Sequence, residues 1–464
     1  MKFTKFGKAL SIGALSAGVV FGVTSCVESY SVGYLYVTGT VTASTSSNGI
    51  ISGYKIEHNT GKLYSINGLP TSSGGANPVR AVLGSGSKFL YVLNRGASSS
   101  GSSDCYGTGA NECQNANIVQ FVVGGNGVLT SEETFYSQGL NPFRMLLDSS
   151  GSYLFVLDHD SPDNANASSG DSCMRAGLKM TTCGDITVFK IDGTTGRLSL
   201  VLNSAVSASN SSSSYLTYFP VPANPVDFVS AGNIILTLFG SNTPTSYPYT
   251  GGSSVWPYNY TSSTGQLTVS ANGSQTLTNG NGNVSQANAL VYASNVLYVL
   301  DNESVTTTFN HSSVTALSQI IPYTVSSAGM LQIEPSGVIP DDATLSNPIA
   351  LMVDAKGQYV YVANQGNNTT GNNPESGIAA YYITTSPSYQ LSYVADEPFG
   401  SGSGPQCIVE DPSSQYIFEA NQYDSTITGR VIDPNSGELK AMRSTGTYTL
   451  SGQPSWCLVD GRTD

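Results

Sequence analysis

The sequence predicts an all-β chain folded as a closed ring of seven blades, each built from four antiparallel strands. Three observations lead there. The 464 residues are rich in Gly (50) and Tyr (27) and only 11% charged, a composition that favours short strands and polar turns over long helices. One phrase recurs at 77–94 (NPVRAVLGSGSKFLYVLN), 141–158, 224–240, 286–301, 347–364 and 404–421, and each copy reads as a strand, a tight turn and a second strand. Finally, the four strand types each count to seven only when the two ends of the chain are combined.

Taken in order, the chain opens with MKFTKFGKALSIGALSAGVVFGVTSC. Lys2, Lys5 and Lys8 precede a short apolar run and small residues before Cys26, the pattern of an export signal and too short for a membrane span. Val23-Thr24-Ser25-Cys26 resembles a bacterial lipobox, which implies lipidation of Cys26. The expected organisation is a signal peptide over 1–25, the lipidated cysteine and a short tether over 26–33, and the ring over 34–464. Without 1–25, 15 Lys and Arg face 31 Asp and Glu, a formal charge of −16 against −13 for the whole chain. Nucleic acid is excluded as a partner by that balance, and membrane contact is left to the lipid alone.

The first blade enters at its second strand, GYLYVTG (33–39), followed by GIISGYKIEH (49–58) and KLYSI (62–66). Its missing first strand is QPSWCLVD (453–460), delivered last, so one blade is stitched from both ends of the chain. Closure of this kind hides the strand edges an open sheet would expose. In every other blade the two recurring strands lead through a variable loop to a third strand and then a fourth with a Gly-x-Leu-like turn, as in GDITVFKIDGTTGRLSL (184–200). Four strands per unit, repeated to seven, make a β-propeller.

YVLN (91–94), YVAN (361–364), the D-x-x-G-like turns and the tGxL fourth strands resemble the seven-bladed lactonase family, whose best-known enzyme is 6-phosphogluconolactonase, and the related YVTN-repeat surface propellers. The resemblance spans nearly all of 33–464. It implies the fold and a carboxylic ester hydrolase acting on a lactone; export argues against the phosphorylated sugar, a cytosolic metabolite. These motifs build blades, and none is a catalytic motif.

In such a ring the loops between strands two and three and the links between blades lie at one face. That face carries the long segments 95–116, 159–183, 241–252, 302–317 and 365–375, the expected place for binding. Arg80 and Arg144, two residues past the repeat proline in consecutive blades, form a candidate anion clamp for a carboxylate, unless acids such as Asp158 hold them in structural pairs. The second-strand ends Asn94, Asp158, Asn364 and Asn421 are further candidates for substrate contact. Glu419 and Glu410 stand where other blades carry apolar residues. A desolvated Glu419, expected opposite Cys407, is a candidate general base. Of three histidines only His159 directly follows a second strand on the loop face, and it is the alternative base.

Asp158, Asp160 and Asp163 offer a hard-cation set such as Ca²⁺ would need, without the spacing of an EF-hand loop. No other cofactor is expected. Cys105 and Cys113 share one loop and Cys173 and Cys183 another, so two local bridges are expected; Cys407 and Cys457 either bridge or remain buried thiols. The two functional readings are a monomeric, lipid-anchored lactone hydrolase of the cell envelope, and a non-catalytic surface propeller binding a glycan, peptide or protein.

Overall fold

The computed structural model describes residues 30–41, 48–98, 112–162, 173, 183–207, 215–241, 252–279, 282–309, 311–334, 338–367, 373–385, 388–443 and 445–461. The expected signal peptide and Cys26, together with Cys105 and Asp163, lie outside them. Among the described residues no helix is long and apolar enough to cross a membrane.

Seven antiparallel blade sheets form the ring, and the inner strand of each packs against the next all the way round. Those inner strands are Gly452–Asp460, Pro78–Leu83, Leu140–Leu147, Pro225–Ala231, Ala287–Ala293, Pro348–Val353 and Pro405–Glu410, in blades one to seven. Gly452–Asp460 pairs antiparallel with Ser31–Val41, with Tyr34 opposite Asp460 and Val37 opposite Cys457. The chain therefore closes its ring with its last strand, as the strand count requires.

The recurring motifs act between blades. A Gly in the turn before the fourth strand adopts positive φ (Gly61, Gly127, Gly196, Gly265, Gly437), and an aromatic ring of the preceding blade lies where a Cβ would stand. Thus Tyr36 donates to the Gly127 carbonyl at 2.7 Å, Tyr91 to Gly196 at 2.6 Å and Tyr361 to Gly437 at 3.0 Å. The same lock closes the ring, because Tyr416 of blade seven lies against Gly61 of blade one. Each of these three phenols is satisfied by a carbonyl, as burial of a Tyr requires.

The turns from first to second strand are held by aspartates. Asp148, Asp354 and Asp411 each accept two backbone N–H groups four and five residues on. Gly151, Gly357 and Ser414, three residues after them, take the left-handed conformation the turn needs.

Two features depart from the four-strand expectation. In every blade except the second, the link to the next blade adds a short fifth strand against the third. The segment 302–317, expected as a loop, contains the hairpin Val305–Phe309 and Ser312–Ala316. Disulfides join Cys173 to Cys183 and Cys407 to Cys457. Cys113 is also disulfide-bonded, its expected partner Cys105 lying outside the described residues.

Candidate active site at the channel mouth

One structural device positions the site. Every inner strand carries a β-bulge one residue past its Pro or equivalent position, between Pro78 and Arg80 in blade two and Pro142 and Arg144 in blade three. The same irregularity recurs in the other five blades. Four of the preceding residues, Asn77, Asn141, Asn224 and Asn347, have φ between 50 and 59°, a conformation Asn tolerates better than other non-Gly residues. The Asn-Pro motif is thus a strand entrance followed by a bulge, a device that re-aims side chains at the rim of a barrel or ring.

The residue just inside each bulge occupies one register position: Trp456, Arg80, Arg144 and Asp227 in blades one to four. They form a connected row. The Arg80 guanidinium lies 3.7 Å from the centroid of the Trp456 ring, a stacked cation–π contact. Arg144 Nε donates to Asp227 Oδ1 at 3.1 Å, and Asp227 Oδ2 accepts the Leu290 N–H at 2.9 Å. Arg144 therefore pairs with the equivalent residue of the next blade, and the expected alternative of a pair with Asp158 does not form.

His159 joins this row from the end of the second strand of blade three, stacked on Phe143 with centroids 3.7 Å apart and planes 11° from parallel. Burial, then the charges of Arg95 and Arg144, push its imidazole down to about 3, so the ring is neutral at ordinary pH. Burial and the Arg144 charge also lower Arg80, with partial relief from Asp227. Cations that repel one another in a half-buried site favour an anion between them.

Arg95 was missed by sequence reasoning. It follows Asn94 as His159 follows Asp158, so the two occupy equivalent positions in consecutive blades, and the aligned repeats carried that signal. In blades five to seven the equivalent residues are neutral amides, Asn302, Gln365 and Gln422, tied to inner-strand and entrance residues: Asn302 to Asn347 at 3.1 Å and Gln406 to Gln422 at 2.5 Å. The mouth is cationic over blades two and three and amide-lined over blades five to seven.

Other expected site residues lie elsewhere. Glu419 is 1% exposed and pairs across the strands with Ile408 and Thr428, so the expected position opposite Cys407 is corrected by one residue. Neither of its oxygens has a hydrogen-bond partner of good geometry. Burial pushes the carboxyl up to about 8, offset in part by Arg430 and the Thr428 hydroxyl. Those neighbours belong to its own blade, and neither Arg80 nor Arg144 is among the groups that shift it.

Asn94, Asp158, Asn364 and Asn421 are each fully buried. Asn94 donates to Ser73 O and Asn117 Oδ1, and Asn421 to Thr426 and Thr428. Asp158 accepts from Ser137 at 2.5 Å and sits directly opposite Asp185. These side chains brace third strands and blade links beneath the mouth. Burial raises both carboxyls of the Asp158–Asp185 pair; the Asp158 charge raises Asp185 further, whereas the hydrogen bonds from Ser137, Asp185 and Thr187 partly offset the rise at Asp158. Asp160 accepts from Asn141 at 2.6 Å, and among the described residues no group of three or more His, Cys, Asp or Glu side chains is placed to hold a metal.

Residues 312–458 match the family model described as Lactonase, 7-bladed beta-propeller. The match covers about a third of the chain. The lactonase match takes in the last part of blade five, blades six and seven and most of the closing strand, whereas Arg80, Arg144 and His159 lie outside it. No curated protein matches the chain.

Solved structures share the fold of the ring at low identity. One from Bacteroides fragilis, provisionally named a 6-phosphogluconolactonase, is 15% identical with a TM-score of 0.59 over 94% of this chain and 99% of its own. A Bacteroides uniformis protein of the same provisional name is 14% identical, TM-score 0.61, over 93% and 100%. The periplasmic gluconolactonase of Pseudomonas aeruginosa is 16% identical, TM-score 0.61, over 92% and 99%. At such identities the likeness speaks for the fold.

Proposed function

We propose that this lactonase-type propeller binds lactones at the channel mouth and hydrolyses them to hydroxy acids, as an exported protein anchored to the cell envelope through Cys26. One observation supports the reading above others: Arg80, Arg144 and His159 meet at one mouth in a chain of formal charge −13. The arginines polarise the ring carbonyl and stabilise the oxyanion that develops on it. A water oxygen bonds to the carbonyl carbon while its proton passes to the neutral His159. The ring C–O bond then breaks, the leaving alkoxide takes that proton from His159, and the new carboxyl group loses the remaining water proton to solvent, leaving a carboxylate between the arginines until release.

His159 gains basicity as the reaction proceeds. Its pKa is held down first by burial and then by Arg95 and Arg144, and negative charge developing on the carbonyl oxygen offsets the second of these, so the ring becomes a better base as the oxyanion forms. Turnover of a panel of sugar and aliphatic lactones by the purified protein, with Arg144→Ala and His159→Asn, tests this. Activity on one class, lost in both variants and kept in Glu419→Gln, is expected. Absence of turnover on every lactone would overturn the reading and favour a binding propeller.

A further inference from the structure

The inner strands of blades one, two, six and seven line an open pocket of about 530 Å³. Its walls are apolar, with Leu83, Met352, Val353, Ile408 and Leu458 prominent among them, and Glu410 is the sole charged residue in the lining. Trp456 belongs to both places. Its ring carries the Arg80 guanidinium and also borders the cavity, and its Nε1 is fixed by the Ala81 carbonyl at 3.1 Å. Arginine head-site and apolar chamber are therefore joined through one indole.

Glu410 is the last residue of the inner strand of blade seven, at the far end of that strand from the position equivalent to the arginines. Its Oε2 accepts the Ala355 N–H at 2.7 Å, which holds the carboxyl toward blade six. Asp354 and Asp411, the turn-holding acids of blades six and seven, lie close enough to act on its charge. The channel thus runs from a cationic mouth, past Trp456, along apolar walls to an acidic far end.

We infer that the ligand of this channel is a lactone or monocarboxylate bearing an unbranched apolar tail, its polar head at Arg80 and Arg144 and its tail beyond Trp456, with Glu410 rejecting a second carboxylate at the tail end. The inference rests on the arginine mouth of the proposed function and adds the substrate class. A polyhydroxylated sugar acid would leave its hydroxyls facing Leu83, Met352 and Leu458 without partners, a cost that discriminates strongly against it. A dicarboxylate would place an anion beside Glu410, so like-charge repulsion selects between tails of equal length.

Calorimetric titration of the purified protein with acetate, butanoate, hexanoate, octanoate, octanedioate and gluconate tests the assignment. Each methylene buried should tighten binding about fourfold, the equivalent of about 0.8 kcal/mol. Octanoate should bind at least tenfold more tightly than gluconate or octanedioate, and Glu410→Gln should narrow the gap between octanedioate and octanoate to less than threefold. Leu458→Asp should flatten the chain-length series, with Arg144→Ala weakening every member equally. If acetate, gluconate and octanoate bind alike through Arg144, the tail chamber is refuted and the mouth stands. If no carboxylate binds, the arginine mouth itself fails.

Discussion

Cys407 and Cys457 are disulfide-bonded across neighbouring inner strands, with Cα atoms 5.8 Å apart. One lies in the last repeated unit and the other in the strand that completes the first blade, so the bond fastens the seam of the ring covalently. It closes a loop of 50 residues, for which chain entropy gives about 4 kcal/mol as an upper figure. Cys457→Ser should lower the thermal midpoint, and reducing agent should lower the wild type toward the variant. Deletion of residues 452–464 should abolish the cooperative transition, since Ser31–Val41 would lose its inner partner; a normal melt of that deletion would argue against closure by the last strand.

The inter-blade locks predict a graded glycine series. At Gly437 (φ 76°) an added Cβ would stand 2.3 Å from the Tyr359 ring, whereas at Gly232 (φ 66°) it would meet nothing within 4 Å. Gly232→Ala incurs only the left-handed backbone cost of about 1–2 kcal/mol. Gly437→Ala adds overpacking of about 1–3 kcal/mol. Denaturant midpoints of the two variants should differ in that order.

Glu419 gives a pH prediction with a definite sign. The folded carboxyl keeps its proton up to about pH 8 while the free side chain titrates near 4.5. Its contribution to stability is complete below about pH 4.5 and is lost as pH rises through 8. Glu419→Gln should match the wild type at pH 4.5 and exceed it at pH 8.5 by about 1–3 kcal/mol, the cost of a buried unsatisfied group. Urea unfolding at the two pH values measures this, and a difference independent of pH would show that Glu419 is exposed or paired.

The mouth was legible in outline because repeats place equivalent residues at equivalent heights. Two arginines at one motif position in consecutive blades had to be neighbours in space, and the closing strand had to pair with the orphan second strand. What escaped the sequence was register. Continuing the pairing of Pro405 with Asn421 puts Cys407 opposite Glu419; the bulge at Gln406 shifts the ladder by one, so Glu419 faces Ile408. A bulge has no strong signature, and its effect on side-chain placement is large. Arg95 escaped for another reason: it stands in a loop position whose meaning emerges only beside His159.

The ion pair between Arg144 and Asp227 yields a prediction about activity. Arg144→Ala removes a carbonyl-polarising charge and should reduce kcat/KM by about 100-fold or more, the scale of losing one oxyanion donor. Asp227→Asn leaves Arg144 less restrained and without its counter-charge, so it should tighten carboxylate binding while slowing product release. Steady-state and single-turnover rates on the same lactone separate the two effects, and loss of binding in Asp227→Asn would contradict the assignment.

The most direct test of the shared mouth is the titration of His159 followed by NMR, tractable with only three histidines in the chain. The imidazole should remain neutral through pH 5 in the free protein and should titrate at higher pH in Arg144→Ala or with octanoate bound, because each removes cationic repulsion. An ordinary titration near 6.5 that neither the substitution nor the carboxylate moves would place His159 away from the arginines and contradict the account.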